Sequence, residues 1–265
     1  MKYLFSDWEK LKNTLSDKSL LFLLDYDGTL TPIRESASLA DLSKENKDLL
    51  NKLSKKPNCS VAIISGRSLE DIKNTVGVKG IIYAGNHGLE IEGPKIKFKS
   101  QLSPRLKAVI RHIAEDLTKR LSGIKGIVIE DKELTISVHY RLIAEKGIQE
   151  FLSIFSEIID PYISRDKIKV DSGKKVYEIK PPVQWDKGKV ALWFMVRQQF
   201  SAGEKKVLPV YIGDDVTDED AFKALKRKGL TISVGESHTS NADYYLKNTD
   251  EVTKFLRLIS EIKHN

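Results

Sequence analysis

The feature that most constrains the fold is a run of five apolar residues, LLFLL at 20–24, with two carboxylates directly behind it. A strand that is apolar on both faces belongs in a parallel sheet covered by helices on both sides. Similar short apolar runs recur at 61–65, 81–84, 207–212 and 231–234, with helical patterns between them. This alternation predicts an α/β fold with a Rossmann-like, three-layer core around a parallel sheet.

Helices are predicted where apolar residues recur at helical spacing. Residues 43–54 are expected to form a helix with Ser43 as its N-cap, and residues 250–262 a helix that closes the chain.

The middle of the chain has a different pattern. Helical patterns over about 104–121 and 144–159 are each followed by two segments of alternating polar and apolar residues, which is typical of half-buried antiparallel strands. Helix–strand–strand, twice, predicts a smaller α+β domain inserted into the core. The prediction puts the core at 1–99 and 183–265 and the inserted domain at 100–182, with the prolines at 181–182 as a hinge.

The composition is that of a globular chain, with 40% hydrophobic and 31% charged residues. No apolar run could cross a bilayer, and the first residues lack the apolar stretch of a signal peptide, so we expect a cytoplasmic protein without a membrane partner. The lone Cys59 agrees with a reducing compartment.

The net charge of +7 is spread without a basic block, which favours a lysine-rich surface over nucleic-acid binding. A monomer is expected.

Four motifs place polar side chains at the ends of predicted strands or the starts of predicted helices. In chain order they contribute Asp25 and Asp27 (D-Y-D-G-T), Ser65 (S-G-R), Lys187 (D-K-G-K), and Asp214, Asp215 and Asp218 (G-D-D-V-T-D). Ligands bind outside the carboxyl ends of parallel strands, so these side chains should converge on one crevice. Adjacent acids repel unless a cation holds them, and oxygen ligands suit Mg²⁺. The motifs together predict a phosphoryl-transfer site.

Each motif also has an ordinary structural explanation. Asp27 and Gly28 could form a simple turn, Ser65 or Ser68 could cap the next helix, and Lys187 could be solvated. An acidic first helical turn is favoured by the helix dipole and accounts for Asp218 better than for Asp214.

At these four motifs the chain resembles the haloacid dehalogenase (HAD) superfamily of phosphatases. Three further segments, GNHGLEI (85–91), SVHYR (137–141) and GKKVYEIKP (173–181), are similar to trehalose-6-phosphate phosphatases, and this resemblance spans nearly the whole chain. It implies a HAD-like core, with the inserted domain as a cap that excludes bulk water. Some members are fused to a glycosyltransferase domain; here we expect any synthase to be a separate protein.

The resemblance also implies residue roles. The implied catalytic residues are Asp25 (nucleophile), Asp27 (general acid and base), Ser65 and Lys187 (donors to phosphoryl oxygens). The implied Mg²⁺ residues are Asp25, Asp27 through its backbone carbonyl, Asp214, and, through metal-bound water, Asp215 and Asp218. The implied substrate-binding residues are Arg67, Asn86, His87, His139, Arg141, Lys174, Glu178 and Lys180. Alternation along VYEIK puts Glu178 and Lys180 on one strand face, which could equally be a solvated face.

The function implied is hydrolysis of trehalose 6-phosphate. Three alternatives stay open: a phosphatase of another sugar phosphate such as sucrose phosphate or mannosyl phosphoglycerate, a sugar phosphomutase, and a non-catalytic sensor. The presence of Asp25, Asp27 and Asp214 argues against the sensor, in which we expect one of these acids to be lost.

Overall fold

A computed structural model describes residues 1–34, 39–203 and 205–262. The chain divides into two compact units. The first, called the core unit, comprises Met1–Phe98 and Trp185–Asn265, and the second, called the inserted unit, comprises Lys99–Gln184.

Strands and helices alternate along the described part of the chain. The strands are β1 (Lys2–Tyr3), β2 (Ser19–Leu24), β3 (Cys59–Ile64), β4 (Ile82–Gly85), β5 (Glu90–Gly93), β6 (Ile96–Lys99), β7 (Val128–Asp131), β8 (Ile136–His139), β9 (Lys169–Gly173), β10 (Val176–Lys180), β11 (Val207–Gly213), β12 (Leu230–Val234) and β13 (Tyr244–Leu246). The helices are α1 (Trp8–Ser16), α2 (Lys44–Ser54), α3 (Leu69–Val76), α4 (Pro104–Leu121), α5 (Ile148–Ile163), α6 (Lys187–Ala202), α7 (Glu219–Leu225) and α8 (Thr249–Glu261).

The sheet of the core unit has the strand order β1-β13-β12-β11-β2-β3-β4-β5-β6 among the described residues. In this order, each pair of neighbouring strands from β1 to β4 is parallel, and β5 runs antiparallel to β4. Because β2 lies between β11 and β3, the carboxyl ends of these three strands are neighbours. The three predicted motifs that contain Asp25, Ser65 and Asp214 begin at this edge of the sheet.

Strand β2 is buried along its whole length, which explains its uninterrupted apolar sequence. Leu20, Phe22 and Leu24 pack into one apolar cluster with residues of α1, α2, α3 and α8. Leu21 and Leu23 pack on the other face with residues of α6 and α7. The predicted α/β fold with three layers is therefore confirmed.

Local sequence signals set several of these boundaries. Ser43 caps α2 as predicted, accepting a hydrogen bond from the Asn46 amide. Helix α4 has the predicted limits, but α5 begins at Ile148 instead of 144, because a 3₁₀ turn precedes it, and continues past the predicted end at 159. The helix accommodates Pro161 because a proline in the last turn removes only one backbone hydrogen bond.

The inserted unit contains an antiparallel sheet with the order β7-β8-β10-β9, so the prediction of helix–strand–strand twice is confirmed. One face of this sheet is apolar: Ile136, Val138 and Ile179 pack with buried residues of α4 and α5. Its other face carries polar side chains. None of the helices in the described ranges combines the length and the apolar composition that a membrane span requires.

Candidate active site

Three of the predicted site residues, Asp25, Ser65 and Asp214, directly follow the neighbouring strands β2, β3 and β11. Asp25 comes after β2, and its backbone amide donates to the Ile212 carbonyl of β11 at 2.9 Å. Ser65 comes after β3, with its amide on the Ala84 carbonyl of β4 at 2.9 Å. Sheet pairing thus continues for one residue past each strand and fixes the backbone from which these side chains project.

Lys187 lies at the centre of the site. Its Nζ donates to Asp25 Oδ1 at 2.7 Å and to Asp218 Oδ1 at 2.8 Å, and all three side chains are buried. Lys187 is the first residue of α6, where the helix dipole disfavours a cation. The two carboxylates offset that cost, because they supply negative charge directly beside the ammonium group.

Asp218 organises the turn after β11. Its Oδ1 accepts from Lys187 and from the Tyr211 hydroxyl, the latter at 2.7 Å. Its Oδ2 accepts from the amides of Asp214 and Asp215 at 3.1 and 3.0 Å, while the Asp215 carboxylate caps the same turn in return. Both oxygens of Asp218 are therefore occupied by protein donors, which suits a positioning role better than direct metal binding.

Burial raises the pKa of Asp25 well above its usual range, and the charges of Asp218 and Asp214 raise it further, while Lys187 opposes them. Burial lowers the pKa of Lys187, but Asp218 and Asp25 outweigh burial and raise it. The carboxylates of Asp25, Asp214 and Asp218 thus lie close together, and the Lys187 ammonium group is bonded to two of them. Further positive charge would stabilise this arrangement.

A divalent cation would supply that charge. Oxygens of Asp25, Asp214 and Asp218 lie within 4.8 Å of one another, a spacing that could hold a metal ion. The Asp214 carboxylate packs against Gly28, where an added Cβ would lie 2.2 Å from Asp214 Oδ2 and φ is +89°, so only glycine fits. Carboxylate oxygens are the ligands of hard cations such as Mg²⁺. The residues present fit a metal, with Asp25 and Asp214 best placed to bind it.

Asp27 is held by Arg67. Arg67 donates to both Asp27 oxygens at 2.7 and 2.8 Å and to Asp71 at 3.0 Å, and it lies 5.0 Å over the Tyr26 ring. Burial lowers the pKa of Arg67, but its two carboxylate partners outweigh burial and raise it. The guanidinium predicted to bind substrate is thus occupied with protein carboxylates, and its substrate role stays a prediction.

The turn after β4 packs on the segment around Ser65. The amides of Asn86 and His87 donate to the carbonyls of Arg67 and Ser65 at 2.7 and 2.9 Å, and both side chains are buried. Asn86 Nδ2 donates to Glu90 Oε2 at 2.8 Å. Ser65 Oγ accepts from the Arg67 amide at 3.1 Å. The Asn86 side chain therefore supports Glu90, and its predicted contact with substrate remains untested.

The inserted unit carries a second cluster of charged groups, on the polar face of its sheet. Register places Glu130, Ser137, Glu178 and Asp171 side by side on β7, β8, β10 and β9. Ser137 Oγ donates to Glu178 Oε1 at 2.7 Å, and the Lys132 ammonium contacts Ser137 and lies 3.6 Å from Glu178 Oε1. We call this set the polar face.

The remaining predicted residues of this unit lie on or near the polar face. His139 Nε2 lies 3.4 Å from Glu130 Oε2, and Lys180 pairs with Asp171. Arg141 donates to the carbonyl of Lys174, beside the turn between β9 and β10, and both side chains are exposed.

Four residues of the polar face were missed from the sequence: Glu130, Lys132, Ser137 and Asp171. The signal was available for the first three, because alternation along β7 and β8 puts them on the same side as His139. What the sequence lacked was the pairing of β8 with β10, which brings Ser137 and Lys132 to Glu178.

Comparisons with known proteins agree with this geometry. The family model "Trehalose-phosphatase" matches residues 23–250. Trehalose-phosphate phosphatase B of Arabidopsis thaliana is 34% identical over 272 residues, covering 97% of this chain and 70% of that protein. The C-terminal domain of Candida albicans trehalose-6-phosphate phosphatase superposes with a TM-score of 0.82 at 24% identity, covering 95% of this chain and 96% of that one.

A haloacid dehalogenase-like hydrolase from Bacteroides thetaiotaomicron has the same fold, with a TM-score of 0.62 at 18% identity and coverage of 90% of this chain and 98% of that one. The fold of this chain is therefore the fold of HAD-like hydrolases. Since the family model spans most of the sequence, the chain belongs to the trehalose-phosphatase family.

Proposed function

We propose that this chain hydrolyses trehalose 6-phosphate to trehalose and phosphate through a phospho-aspartate on Asp25, with Mg²⁺ as its metal. The observation that carries the proposal is the buried Asp25 carboxylate, bonded to Lys187 and grouped with Asp214, in a chain of the trehalose-phosphatase family. We also propose a cytoplasmic, monomeric enzyme.

In the first step a carboxylate oxygen of Asp25 attacks phosphorus, and the bond from phosphorus to the sugar oxygen breaks. In the second step water attacks the same phosphorus and releases Asp25. Lys187 holds the Asp25 carboxylate in one orientation through Oδ1. The carboxylate therefore loses little conformational entropy when it attacks phosphorus. Lys187 and the Ser65 hydroxyl are the proposed donors to the phosphoryl oxygens, where charge develops.

The general acid and base is proposed to be Asp27. It would protonate the leaving sugar oxygen and later take a proton from water. Arg67 donates one hydrogen bond to each Asp27 oxygen, so each oxygen keeps a second lone pair for the proposed proton transfers.

The metal would be held by the carboxylates of Asp25 and Asp214 and by the backbone carbonyl of Asp27, with Asp215 and Asp218 supporting its waters. When bound, it would neutralise phosphate charge and orient the phosphoryl group against Asp25. Asp218 would keep Asp214 in place through its bond to the Asp214 amide.

The sugar is proposed to be recognised by the polar face of the inserted unit. Glu178, Lys132 and Ser137 offer acceptors and donors in a buried cluster, which is the chemistry that sugar hydroxyls require. His139, Lys180, Arg141 and Lys174 are proposed to extend it. Asn86, His87 and Arg67 of the core unit are further proposed substrate-binding residues.

Phosphate release from a panel of sugar phosphates tests the proposal. The panel holds trehalose 6-phosphate, sucrose 6-phosphate, glucose 6-phosphate and mannosyl phosphoglycerate, each with Mg²⁺ and again with a chelator. We expect strong preference for trehalose 6-phosphate, abolished by the chelator and restored by added Mg²⁺.

Preference for another member of the panel would keep the Asp25 mechanism and overturn the substrate. Activity that needs a sugar bisphosphate and releases no phosphate would identify a mutase. Absence of any turnover would favour a sensor and refute the enzyme proposal.

A further inference from the structure

The core unit contains a cavity of about 220 Å³ at the end of the sheet opposite Asp25. Leu21 of β2 and Cys59 and Ser60, the first residues of β3, line one side, and Phe194 and Arg197 of α6 line another. Asp25 is four positions further along the chain than Leu21, and four extended residues span a distance of about 13 Å. The mechanism proposed above uses none of the residues that line this cavity.

The lining is basic and rich in hydrogen-bonding groups. Lys95 and Arg197 both line the cavity, and the described lining residues include no aspartate or glutamate. Ser60 and Gln198 add neutral polar side chains to the lining, whereas the hydroxyls of Ser54 and Ser201 donate to the backbone carbonyls of Asn51 and Arg197. A wall with two cationic residues and no acid suits a ligand with negatively charged oxygens.

The side chain of Arg197 is bonded to the backbone of Lys95. Arg197 Nη2 donates to the carbonyl of Lys95 at 2.7 Å, and its guanidinium lies 5.8 Å over the Trp193 ring. Lys95 has φ +58°, a conformation that glycine or asparagine adopts more readily than lysine. The backbone of Lys95 is thus tied to Arg197, which keeps both residues at the same cavity wall.

The volume limits the size of the ligand. At about 30 Å³ per water molecule the cavity holds about seven waters. Sites for drug-sized ligands are larger, about 300–1,000 Å³. The space therefore fits a molecule between orthophosphate and a short polycarboxylate in size.

We propose that this cavity is a binding site for a small multivalent oxyanion, carried either by orthophosphate or by a short polycarboxylate. Lys95 and Arg197 provide the charge, Ser60 and Gln198 provide neutral polar groups, and Leu21 and Phe194 form an apolar wall. The site is separate from the proposed phosphoryl-transfer centre, and the proposal does not depend on the substrate of the enzyme.

Cys59 gives a direct readout, because it lines the cavity and is the single cysteine of the chain. Burial raises the pKa of its thiol to about 11, so alkylation by neutral iodoacetamide at pH 8.5 is slow enough to follow over time. The rate is measured by mass spectrometry on the full chain against increasing orthophosphate or citrate, with sodium chloride holding ionic strength constant. We expect at least one anion to slow alkylation threefold or more at saturation.

Charge-removing variants locate the effect. Arg197→Gln and Lys95→Gln should each raise the half-protecting concentration about tenfold or more, since each removes a charge-assisted contact. Lys97→Gln is the matched control, because Lys97 carries the same charge, lies two residues after Lys95 in β6 and is not among the lining residues. The half-protecting anion concentration of this variant should equal that of wild type. Thermal melts check that each variant is folded, and two independent variants keep the test informative if one is not.

Protection by orthophosphate alone would identify inorganic phosphate as the ligand, and protection by citrate alone would identify a carboxylate; both support the site. The proposal is wrong if neither anion slows alkylation at constant ionic strength. It is also wrong if protection is as strong in Arg197→Gln and Lys95→Gln as in Lys97→Gln, since the anion then binds elsewhere.

Discussion

The two clusters of buried charge in this molecule are built differently. In the core unit, Lys187 bonds Asp25 and Asp218 at 2.7 and 2.8 Å, and every oxygen of Asp218 has a protein donor. On the polar face of the inserted unit, Lys132 lies 3.6 and 3.8 Å from Glu178 and Glu130, and the Ser137 hydroxyl bridges Lys132 and Glu178. In the core cluster an ammonium group bonds directly to buried carboxylates at strand ends, which fixes a reacting group, whereas on the polar face a neutral hydroxyl stands between the ammonium group and Glu178. Substitutions in the core cluster should therefore cost rate and stability, and those on the polar face should change substrate preference.

The largest effect is expected from Asp25→Asn. Asparagine has nearly the same shape but cannot form the phospho-aspartate, so turnover should fall by at least about a hundredfold while the fold persists. Phosphate release and a thermal melt measure the two quantities, with Asp48→Asn on the exposed face of α2 as the control. Residual activity above about a hundredth of wild type would contradict a covalent role for Asp25.

Lys187→Met should lose both rate and stability. Removing the ammonium leaves Asp25 and Asp218 buried without their counter-charge, which typically costs about 3–5 kcal/mol of unfolding free energy. Loss of a donor at the reacting centre typically lowers kcat by about a hundredfold or more. Urea unfolding is measured with a chelator present, so that no cation replaces the lysine.

The matched control is Lys189→Met, two residues along the same helix, whose exposed side chain pairs with half-buried Asp186 at 3.5 Å. Its stability should stay within about 1 kcal/mol of wild type. Equal stability of the Lys187→Met and Lys189→Met variants would mean that the buried cluster is not held together by Lys187.

Glu178→Gln tests the polar face. The substitution keeps the shape but removes the charge that accepts from Ser137 and attracts Lys132. We expect kcat/KM for trehalose 6-phosphate to fall about tenfold, the value of one hydrogen bond to a charged group. Hydrolysis of p-nitrophenyl phosphate, which has no sugar, should change little.

Glu133→Gln is the control, because Glu133 lies in the same unit but is exposed and pairs with Lys99 at the surface. Equal losses on both substrates in Glu178→Gln would show that Glu178 acts on the reacting centre or on folding instead of on the sugar.

The difference between the clusters also explains what could be predicted from the sequence. Asp25, Ser65 and Asp214 each follow a recognisable apolar strand, so their convergence follows from parallel topology alone. The α/β fold was predicted correctly on this basis, and the trehalose-phosphatase family was predicted correctly from the resemblance of the segments at 85–91, 137–141 and 173–181. The polar face depends on the pairing of β8 with β10, strands 40 residues apart in register, and no local pattern specifies that pairing.

Other details were outside the reach of local patterns. The hairpin of β5 and β6 was not predicted, although the residues of Glu90–Gly93 and Ile96–Lys99 alternate, because each strand has only four residues. The bidentate pair of Arg67 with Asp27 joins residues 40 apart, and the sequence suggested only that both lie near phosphate.

The smallest expected effect is a pH dependence of stability on the polar face. The contact with His139, whose Nε2 lies 3.4 Å from Glu130 Oε2, lowers the pKa of Glu130 from its usual 4.5, with burial opposing and Lys132 assisting. A carboxyl whose pKa is lower in the folded state stabilises the fold above its unfolded pKa, and this contribution is lost as pH falls through the folded value. The urea midpoint of wild type should therefore exceed that of Glu130→Gln at pH 5.5, and the gap should shrink as the pH falls below 4.5. Glu133→Gln, whose side chain is exposed, should show a gap that is small at every pH. A gap for Glu130→Gln that persists unchanged to pH 3.5 would show that Glu130 stabilises the polar face by packing and not by its charge.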